Sequence, residues 1–184
     1  MPKIQFQHVR KAFDGKQVLR DVNLEVNEGE SLAIIGRSGS GKSVMLKHMV
    51  GLVRPDSGKV LVDGEDITSF GERELFRVRR KFGFLFQGAA LLDSLTVGEN
   101  VGLGLRELHA ISPEETIRVV REKLAMVGLS GIEDAMPADL SGGMRKRVGL
   151  ARAIALEPEI VLYDEPTTGL DPVMSDVINK LIVR

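Results

Sequence analysis

Residues 36–43 read Gly-Arg-Ser-Gly-Ser-Gly-Lys-Ser, and this stretch decides how the rest of the chain is interpreted. It fits the spacing G-x-x-x-x-G-K-[ST] at Gly36, Gly41, Lys42 and Ser43. The apolar run at 31–35 predicts a strand before the loop, and the pattern at 42–51 predicts a helix after it. Strand, glycine loop and helix in this order predict a phosphate-binding loop in an α/β domain.

The residue types of this loop suit phosphate oxygens. Glycines let backbone N–H groups turn inward, and the following helix adds the positive end of its dipole. Lys42 is expected to reach the β- and γ-phosphates during catalysis, and the Ser43 hydroxyl to bind Mg²⁺. A plain glycine-rich turn with an exposed lysine is the alternative. The residues expected to contact the nucleotide are Gly36, Arg37, Ser38, Gly39, Ser40, Gly41, Lys42, Ser43 and Val44.

Composition narrows the class of protein. The chain has 184 residues, of which 43% are hydrophobic and 28% charged, as is typical of a soluble globular domain. A net charge of −1 without a basic run argues against a nucleic-acid partner. The absence of cysteine excludes a disulfide framework and a cysteine nucleophile. No apolar run approaches the roughly 18–20 residues of a membrane span, so a membrane role is expected to come through a partner.

Hydrophobic periodicity predicts the remaining elements. The start alternates as an antiparallel strand, with Ile4, Phe6 and His8 on one face and Val9 on the other, before a turn at Asp14-Gly15. Ser112 is expected to cap a helix at a break near Pro113, and Gly128 to end it. Further strands are predicted at 22–26, 59–63, 82–86 and 159–163, the last fully buried, and helices at 72–81, 97–127, 141–156 and 172–183.

A second motif is Ile160-Val-Leu-Tyr-Asp164-Glu165, an apolar strand that ends in two acids. Asp164 at the end of such a strand is expected to hold Mg²⁺, directly or through water. Glu165 would orient or deprotonate the attacking water. The alternative is a strand followed by a surface acid pair.

A third motif, Leu140-Ser-Gly-Gly-Met144, precedes a predicted helix, and without other signals it would be read as an N-capping serine with two glycines. Here the sequence resembles the ATP-binding cassette (ABC) ATPases, whose signature is Leu-Ser-Gly-Gly-Gln. The resemblance covers essentially the whole chain. It implies a P-loop NTPase fold with a RecA-like core, an N-terminal antiparallel β-subdomain and a helical insert at about 88–156. It also implies a head-to-tail dimer with two ATP molecules, each facing Ser141, Gly142 and Gly143 of the opposite copy.

The resemblance assigns three more residues. Gln87 falls at the Q-loop glutamine, which touches Mg²⁺ or water and senses a transmembrane partner. Asp171 closes Thr168-Gly-Leu-Asp171, which matches the D-loop that contacts the other subunit next to the nucleotide. Phe13 falls where an aromatic residue, usually Tyr, stacks on adenine.

The family also has a switch histidine beyond the last predicted helix, and the sequence stops at Arg184 before it. We therefore expect residues 1–184 to be a single ABC domain lacking its C-terminal portion. A nucleotide-binding fragment that does not turn over is then a competing interpretation. His8, His48 and His109 are expected to be ordinary strand, helix or surface residues.

A narrower resemblance lies in Gln87-Gly-Ala-Ala-Leu-Leu-Asp-Ser-Leu-Thr96, which is similar to the ATPase of Mce-type lipid transporters, the Mla group, where Met144 is normal. It implies a peripheral subunit on the cytoplasmic face of a bacterial inner membrane, bound to a permease. A periplasmic Mce-domain protein and sometimes a STAS-domain regulator complete such complexes. The permease is expected to contact residues 88–108, where Leu91, Leu92 and Leu95 form either a groove or core.

Other functions compete with this interpretation. An ABC importer or exporter for amino acids, metals or lipoproteins would have the same nucleotide site. Soluble ABC proteins of translation or DNA repair usually carry two cassettes or a long coiled coil, and neither is seen here. A small GTPase is disfavoured because Asn179-Lys180 is not followed by the aspartate of a guanine-reading Asn-Lys-x-Asp motif.

Overall fold

The structure is a computed structural model. It describes residues 1–109 and 111–183, without the side chains of 108, 109 and 183. The backbone forms two compact units, Met1–Arg80 and Lys81–Arg184. None of the helices within the described ranges is both long and apolar enough to cross a membrane.

The first unit is built on a four-stranded antiparallel sheet in the order β2-β1-β3-β4. As predicted, Asp14 and Gly15 form the turn between the first two strands, both with positive φ. The elements of this unit are β1 (Ile4–Phe13), β2 (Lys16–Val26), α1 (Lys42–Met49), β3 (Ser57–Val62), β4 (Glu65–Asp66) and α2 (Glu72–Arg79).

Strand β1 is interrupted at His8, which has a φ of 53°. Its pairing with β2 shifts register between Phe6 and Val9, so Val9 faces the core at 0% exposure and His8 faces solvent. The prediction that His8 shares a face with Ile4 and Phe6 is therefore wrong beyond Phe6. An extra residue in one strand moves every later side chain to the other face, which regular alternation does not anticipate.

The strand predicted at 31–35 is not formed. Ile35 is 94% exposed and Leu32 44% exposed, and the segment pairs with no strand among residues 1–109 and 111–183. Apolar β-prone residues favour a strand only where a neighbouring strand accepts their hydrogen bonds. The helix that follows does begin at Lys42, as predicted.

The second unit combines helices with a two-stranded parallel sheet. Gly83 lets the end of the fifth helix come close, since a Cβ there would lie 2.2 Å from the Ala153 carbonyl oxygen. The strand predicted to be fully buried is only partly so, because Leu162 alone is buried. The elements are β5 (Phe82–Leu85), α3 (Val97–His109), α4 (Pro113–Met126), a 3₁₀ turn (Pro137–Asp139), α5 (Gly142–Ile154), β6 (Ile160–Tyr163) and α6 (Pro172–Val183).

The predicted break between α3 and α4 is confirmed. Ser112 Oγ accepts a hydrogen bond from the Glu115 amide at 3.1 Å, and Pro113 takes the first helical position. Gly128 follows α4 with a φ of 69°.

Asn100 organises the segment before α3. Its fully buried side chain accepts from the Leu92 amide and donates to the carbonyl oxygens of Leu92, Leu95 and Thr96 at 3.0–3.1 Å. This leaves Leu92 46% exposed, whereas Leu91 packs against the core and Leu95 is half-buried. Of the three leucines, Leu92 is thus the one presented to solvent.

Candidate functional site

The glycine loop 36–41 is wrapped around the amine of Lys42. Lys42 Nζ donates to the carbonyl oxygens of Gly36 at 3.0 Å and Arg37 at 3.2 Å. Gly39 and Gly41 take φ values of 76° and 98°, which a side chain would strain. The loop thereby opens onto the N-terminus of α1, where first-turn amides and the helix dipole favour an anion. This is the shape expected of a triphosphate cradle, and Lys42 and Ser43 stand at its helical side.

Gly41 seats the loop on the first hairpin. A Cβ at Gly41 would lie 3.0 Å from both Val18 and Leu19, so no larger residue fits without displacing β2. Leu19 pairs with Lys11, two residues before Phe13. Phe13 is 43% exposed, and Lys11 Nζ lies 5.3 Å from its ring centroid. The hairpin therefore carries an aromatic face that remains open for stacking.

In the second unit, the predicted site residues lie where β5 and β6 end. These strands are parallel neighbours, so the residues that follow them meet at one edge of the sheet. The Asp164 amide continues the ladder by donating to the Leu85 carbonyl at 2.9 Å, and the residue is 5% exposed. Gln87 and Glu165 meet directly, with Gln87 Nε2 donating to Glu165 Oε2 at 2.9 Å. The structure thus brings together three residues that sequence reasoning placed in the site.

Glu165 is held in an unusual conformation. Its φ of 47° lies in the left-handed region, which non-glycine residues rarely adopt. Thr168 contacts it twice: its hydroxyl donates to Oε2 at 3.1 Å, and its amide donates to the Glu165 carbonyl at 3.2 Å. Such strain is typical of functional positions, where the surrounding structure fixes the side chain.

The oxygen donors fit Mg²⁺, which prefers carboxylate and carbonyl oxygens. Asp164 supplies a buried carboxylate. Because Gln87 donates its amide nitrogen to Glu165, its amide oxygen is left to face a cation. Within the second unit, the chemistry of Gln87 and Asp164 therefore suits this metal, as does that of the Ser43 hydroxyl within the first.

The signature segment begins α5. Ser141 Oγ accepts from the Met144 amide at 3.2 Å, which leaves its hydroxyl hydrogen for an anion. Gly142 is exposed, but Gly143 is buried against α6, since a Cβ there would lie 2.9 Å from Met174 Cε. Asp171 caps α6 by accepting from the amides of Val173 and Met174 at 3.0 Å. Gly143 and Asp171 therefore each have a clear local role in packing or capping.

Sequence reasoning missed two cations on α5. Lys146 is 6% exposed, and its Nζ donates to the Glu165 carbonyl at 2.9 Å. A signal was present, because Gly143, Lys146, Leu150 and Ala153 recur at helical spacing and all are buried, which places the lysine on an apolar face. The second cation, Arg152, donates to the carbonyls of Ala89 at 2.6 Å and Ala90 at 2.8 Å, just after Gln87.

The sequence of this chain is similar to those of known ATP-binding proteins of transporters. The family model described as "ABC transporter" matches residues 19–168. The chain is 45% identical over 181 residues to the probable ribonucleotide transport ATP-binding protein Mkl of Mycobacterium leprae, covering 98% of this chain and 52% of Mkl. It is 46% identical over 172 residues to MlaF of Haemophilus influenzae, the ATP-binding protein of an intermembrane phospholipid transport system, covering 92% and 65%. The chain thus spans about half the length of Mkl.

The fold also matches solved cassettes. The dimeric post-hydrolysis state of the ATP-binding cassette MJ0796, bound to ADP and Pi, superposes with a TM-score of 0.90 at 37% identity, covering 97% of this chain and 81% of that one. The predicted ABC ATPase fold and the resemblance to the Mla group are both confirmed. The chain therefore belongs to the ABC transporter family, as one of its ATP-binding cassettes.

Proposed function

We propose that this chain hydrolyses ATP to drive phospholipid transport by an ABC transporter. The observation that carries the hydrolytic role is the carboxylate of Glu165, fixed at the end of β6 by Gln87 and Thr168. The lipid role is supported by the 46% identity to the H. influenzae MlaF protein, whose name describes intermembrane phospholipid transport.

Binding is assigned to the first unit. The loop amides and the N-terminus of α1 would hold the phosphates, while Lys42 places its positive charge on the β- and γ-phosphoryl oxygens. Phe13 would stack on the adenine ring through its exposed face. Bound Mg²⁺ would add neutralisation of the phosphate charge, and Ser43, Asp164 and Gln87 are the residues that would hold it.

Chemistry is assigned to Glu165. Its carboxylate would orient the attacking water and accept its proton as the bond from the water oxygen to the γ-phosphorus forms. The bond from that phosphorus to the β–γ bridging oxygen breaks, and ADP leaves. In the structure this carboxylate accepts from the Gln87 amide and the Thr168 hydroxyl. Both contacts reach the same carboxylate oxygen, Oε2, and hold the side chain in one position.

Assembly is assigned to a head-to-tail pair of copies. The Ser141 hydroxyl, the Gly142 amide and the N-terminus of α5 would face the γ-phosphate held by the second copy, and hydrolysis would remove that bridge. The permease would contact residues 88–108, where Leu92 is exposed. We further propose an Mce-domain lipid-binding protein and a STAS-domain regulator as partners, at the cytoplasmic face of a bacterial inner membrane.

Affinity purification tests the transport role. The full-length tagged protein would be recovered from membranes in mild detergent, and bound proteins and lipids identified by mass spectrometry. We expect a permease, an Mce-domain protein and phospholipid. Recovery of a different permease without phospholipid would overturn the lipid assignment and leave the ATPase assignment in place. Phosphate release by the same preparation tests hydrolysis separately.

A further inference from the structure

We propose that Lys146 is a positioning residue for Glu165: it holds the Glu165 peptide through its carbonyl oxygen and so aims the carboxylate at the attacking water. This inference rests on the proposed role of Glu165 in hydrolysis. Lys146 itself would touch neither nucleotide nor water, and it acts through the residue that does.

The contact is direct and shielded from solvent. Lys146 Nζ lies 2.9 Å from the Glu165 carbonyl oxygen, and the lysine is 6% exposed. It projects from the middle of α5, the helix whose first turn carries the signature glycines. The link therefore joins a helix to the second residue after the end of β6.

The electrostatics argue that this lysine is kept for its charge. Burial lowers the pKa of the Lys146 ammonium, so the fold works against the cation at this position. The charges of Glu165 and Asp164 act in the opposite direction. A side chain needed only to fill space would be better served by methionine, which has similar length and no charge to desolvate.

The backbone of Glu165 explains why holding its carbonyl matters. At a φ of 47° this residue sits in a strained conformation, which persists only where neighbours fix it. Lys146 and the Thr168 amide bind the carbonyl from two elements. Without the ammonium, the peptide would relax towards an ordinary conformation and swing the side chain away from Gln87 and Thr168.

The chain offers a matched control in Lys123. It is also 6% exposed and also helical, but it lies on α4 and pairs with Glu157 at 2.9 Å. Replacing either lysine by methionine removes one buried ammonium from the same unit. Only the Lys146 substitution removes a contact to Glu165.

The experiment measures phosphate release by the full-length protein against ATP concentration. For Lys146→Met we expect kcat to fall at least tenfold while KM for ATP stays within twofold. Lys146→Arg should recover most of the lost kcat, because it keeps a cationic donor. For Lys123→Met, kcat should stay within twofold of wild type, whatever its effect on melting temperature.

A double-mutant cycle separates positioning from general damage. In single-turnover measurements, adding Lys146→Met to Glu165→Gln should change the residual rate by less than twofold, since the group being aimed is already disabled. If the rate reduction in the double variant equals the product of the reductions in the two single variants, the proposal is overturned. So would an unchanged kcat in Lys146→Met, or equal losses in Lys146→Met and Lys123→Met. If Lys146→Met does not fold, Lys146→Leu, which also lacks a hydrogen-bond donor, enters the same cycle with the same expectations.

These outcomes distinguish the role of Lys146 from the proposed hydrolytic function on which it rests. If the wild-type protein releases no phosphate, the proposed hydrolytic function itself fails. If the wild type is active and Glu165→Gln is not, but Lys146→Met matches wild type, only the role of Lys146 is lost.

Discussion

At the scale of single residues, Glu165 combines a strained backbone with a carboxylate that accepts hydrogen bonds from Gln87 and Thr168. Substituting Gln removes the proton acceptor and keeps the size of the side chain. We expect Glu165→Gln to lower the full-length protein's hydrolysis rate by about 10²- to 10⁴-fold, the usual contribution of a general base. ATP binding should persist, which would accumulate an ATP-bound dimer. Size-exclusion chromatography with ATP checks this, and a purely monomeric elution would contradict the proposed dimer.

Lys42 gives the complementary prediction for binding. Its amine is held within the loop by the carbonyls of Gly36 and Arg37, and we propose that it binds a phosphate there. Lys42→Ala should weaken nucleotide affinity by about 10- to 100-fold, the worth of a hydrogen bond to a charged group. Calorimetric titration of the full-length protein measures it. Lys47→Ala, in the same helix but outside the motif, is the control, and equal affinities for wild type and Lys42→Ala would remove Lys42 from its role.

At the scale of elements, α5 holds the segment that follows Gln87. Arg152 donates to the carbonyls of Ala89 and Ala90, two consecutive residues with positive φ of 62° and 48°. Burial lowers the pKa of its guanidinium, so the fold accepts a cost to keep this cation inside. Two carbonyls that point the same way can be bound together by the planar fork of one arginine.

We therefore expect Arg152→Lys to destabilise this segment although it conserves charge. A lysine cannot bind two carbonyls with the same geometry, and about 1–3 kcal/mol of unfolding free energy should be lost. Hydrogen exchange by mass spectrometry should show faster exchange in 86–92. The matched control is Arg118→Lys, which alters an exposed arginine on α4 that pairs with Glu115. Unchanged hydrogen exchange in Arg152→Lys would show that residues 86–92 keep their conformation without the arginine.

Elements also mark where sequence patterns failed. Turns and caps at Asp14-Gly15, Ser112 and Gly128 were predictable because their chemistry is local. The strand at 31–35 was not, because a strand depends on a partner that the pattern does not name. The bulge at His8 was not predicted, because a short alternation of polar and apolar residues does not show where one residue is inserted.

At the scale of the whole molecule, the buried His48 makes stability depend on pH. The residue is 1% exposed, its Nδ1 lies 2.7 Å from the Val44 carbonyl oxygen, and burial lowers its pKa. In the unfolded chain the imidazole binds a proton near its ordinary value of 6.5, whereas the folded chain binds it only at lower pH. Stability is thus complete above about pH 6.5 and falls as the pH drops below it, by at most about 1.4 kcal/mol per pH unit.

Urea unfolding of the protein at pH 7.5, 6.5 and 5.5 checks this. His48→Gln, which stays neutral, should flatten the decline between pH 6.5 and 5.5. His8→Gln, at an exposed histidine, should leave it unchanged. The lowered pKa values of Asp56 and Glu157 add further loss only as the pH falls through their own, more acidic range. An identical slope in wild type and His48→Gln would assign the decline to other groups.

The motifs themselves were fully readable from the sequence, and so was the family. The hydrogen-bond partners of the neighbouring cations were not. The helical spacing of α5 indicates that Lys146 is buried, but Lys146 and Arg152 bind backbone carbonyls, which residue types do not identify. Likewise Gly143 reads as a phosphate contact, while its tight packing against Met174 becomes visible only in three dimensions.

Helix α5 spans 13 residues, about 20 Å, with Ser141 at its start, Lys146 at its middle and Arg152 near its end. In the proposed dimer, the start of α5 would contact the nucleotide of the other copy, while Lys146 would hold the glutamate that orients the water attacking the nucleotide of its own copy. We expect that loss of one nucleotide would release the start of α5 and thereby weaken the support of Glu165 at the other end of the link. The proposed dimer would then couple hydrolysis at one site to the occupancy of the other.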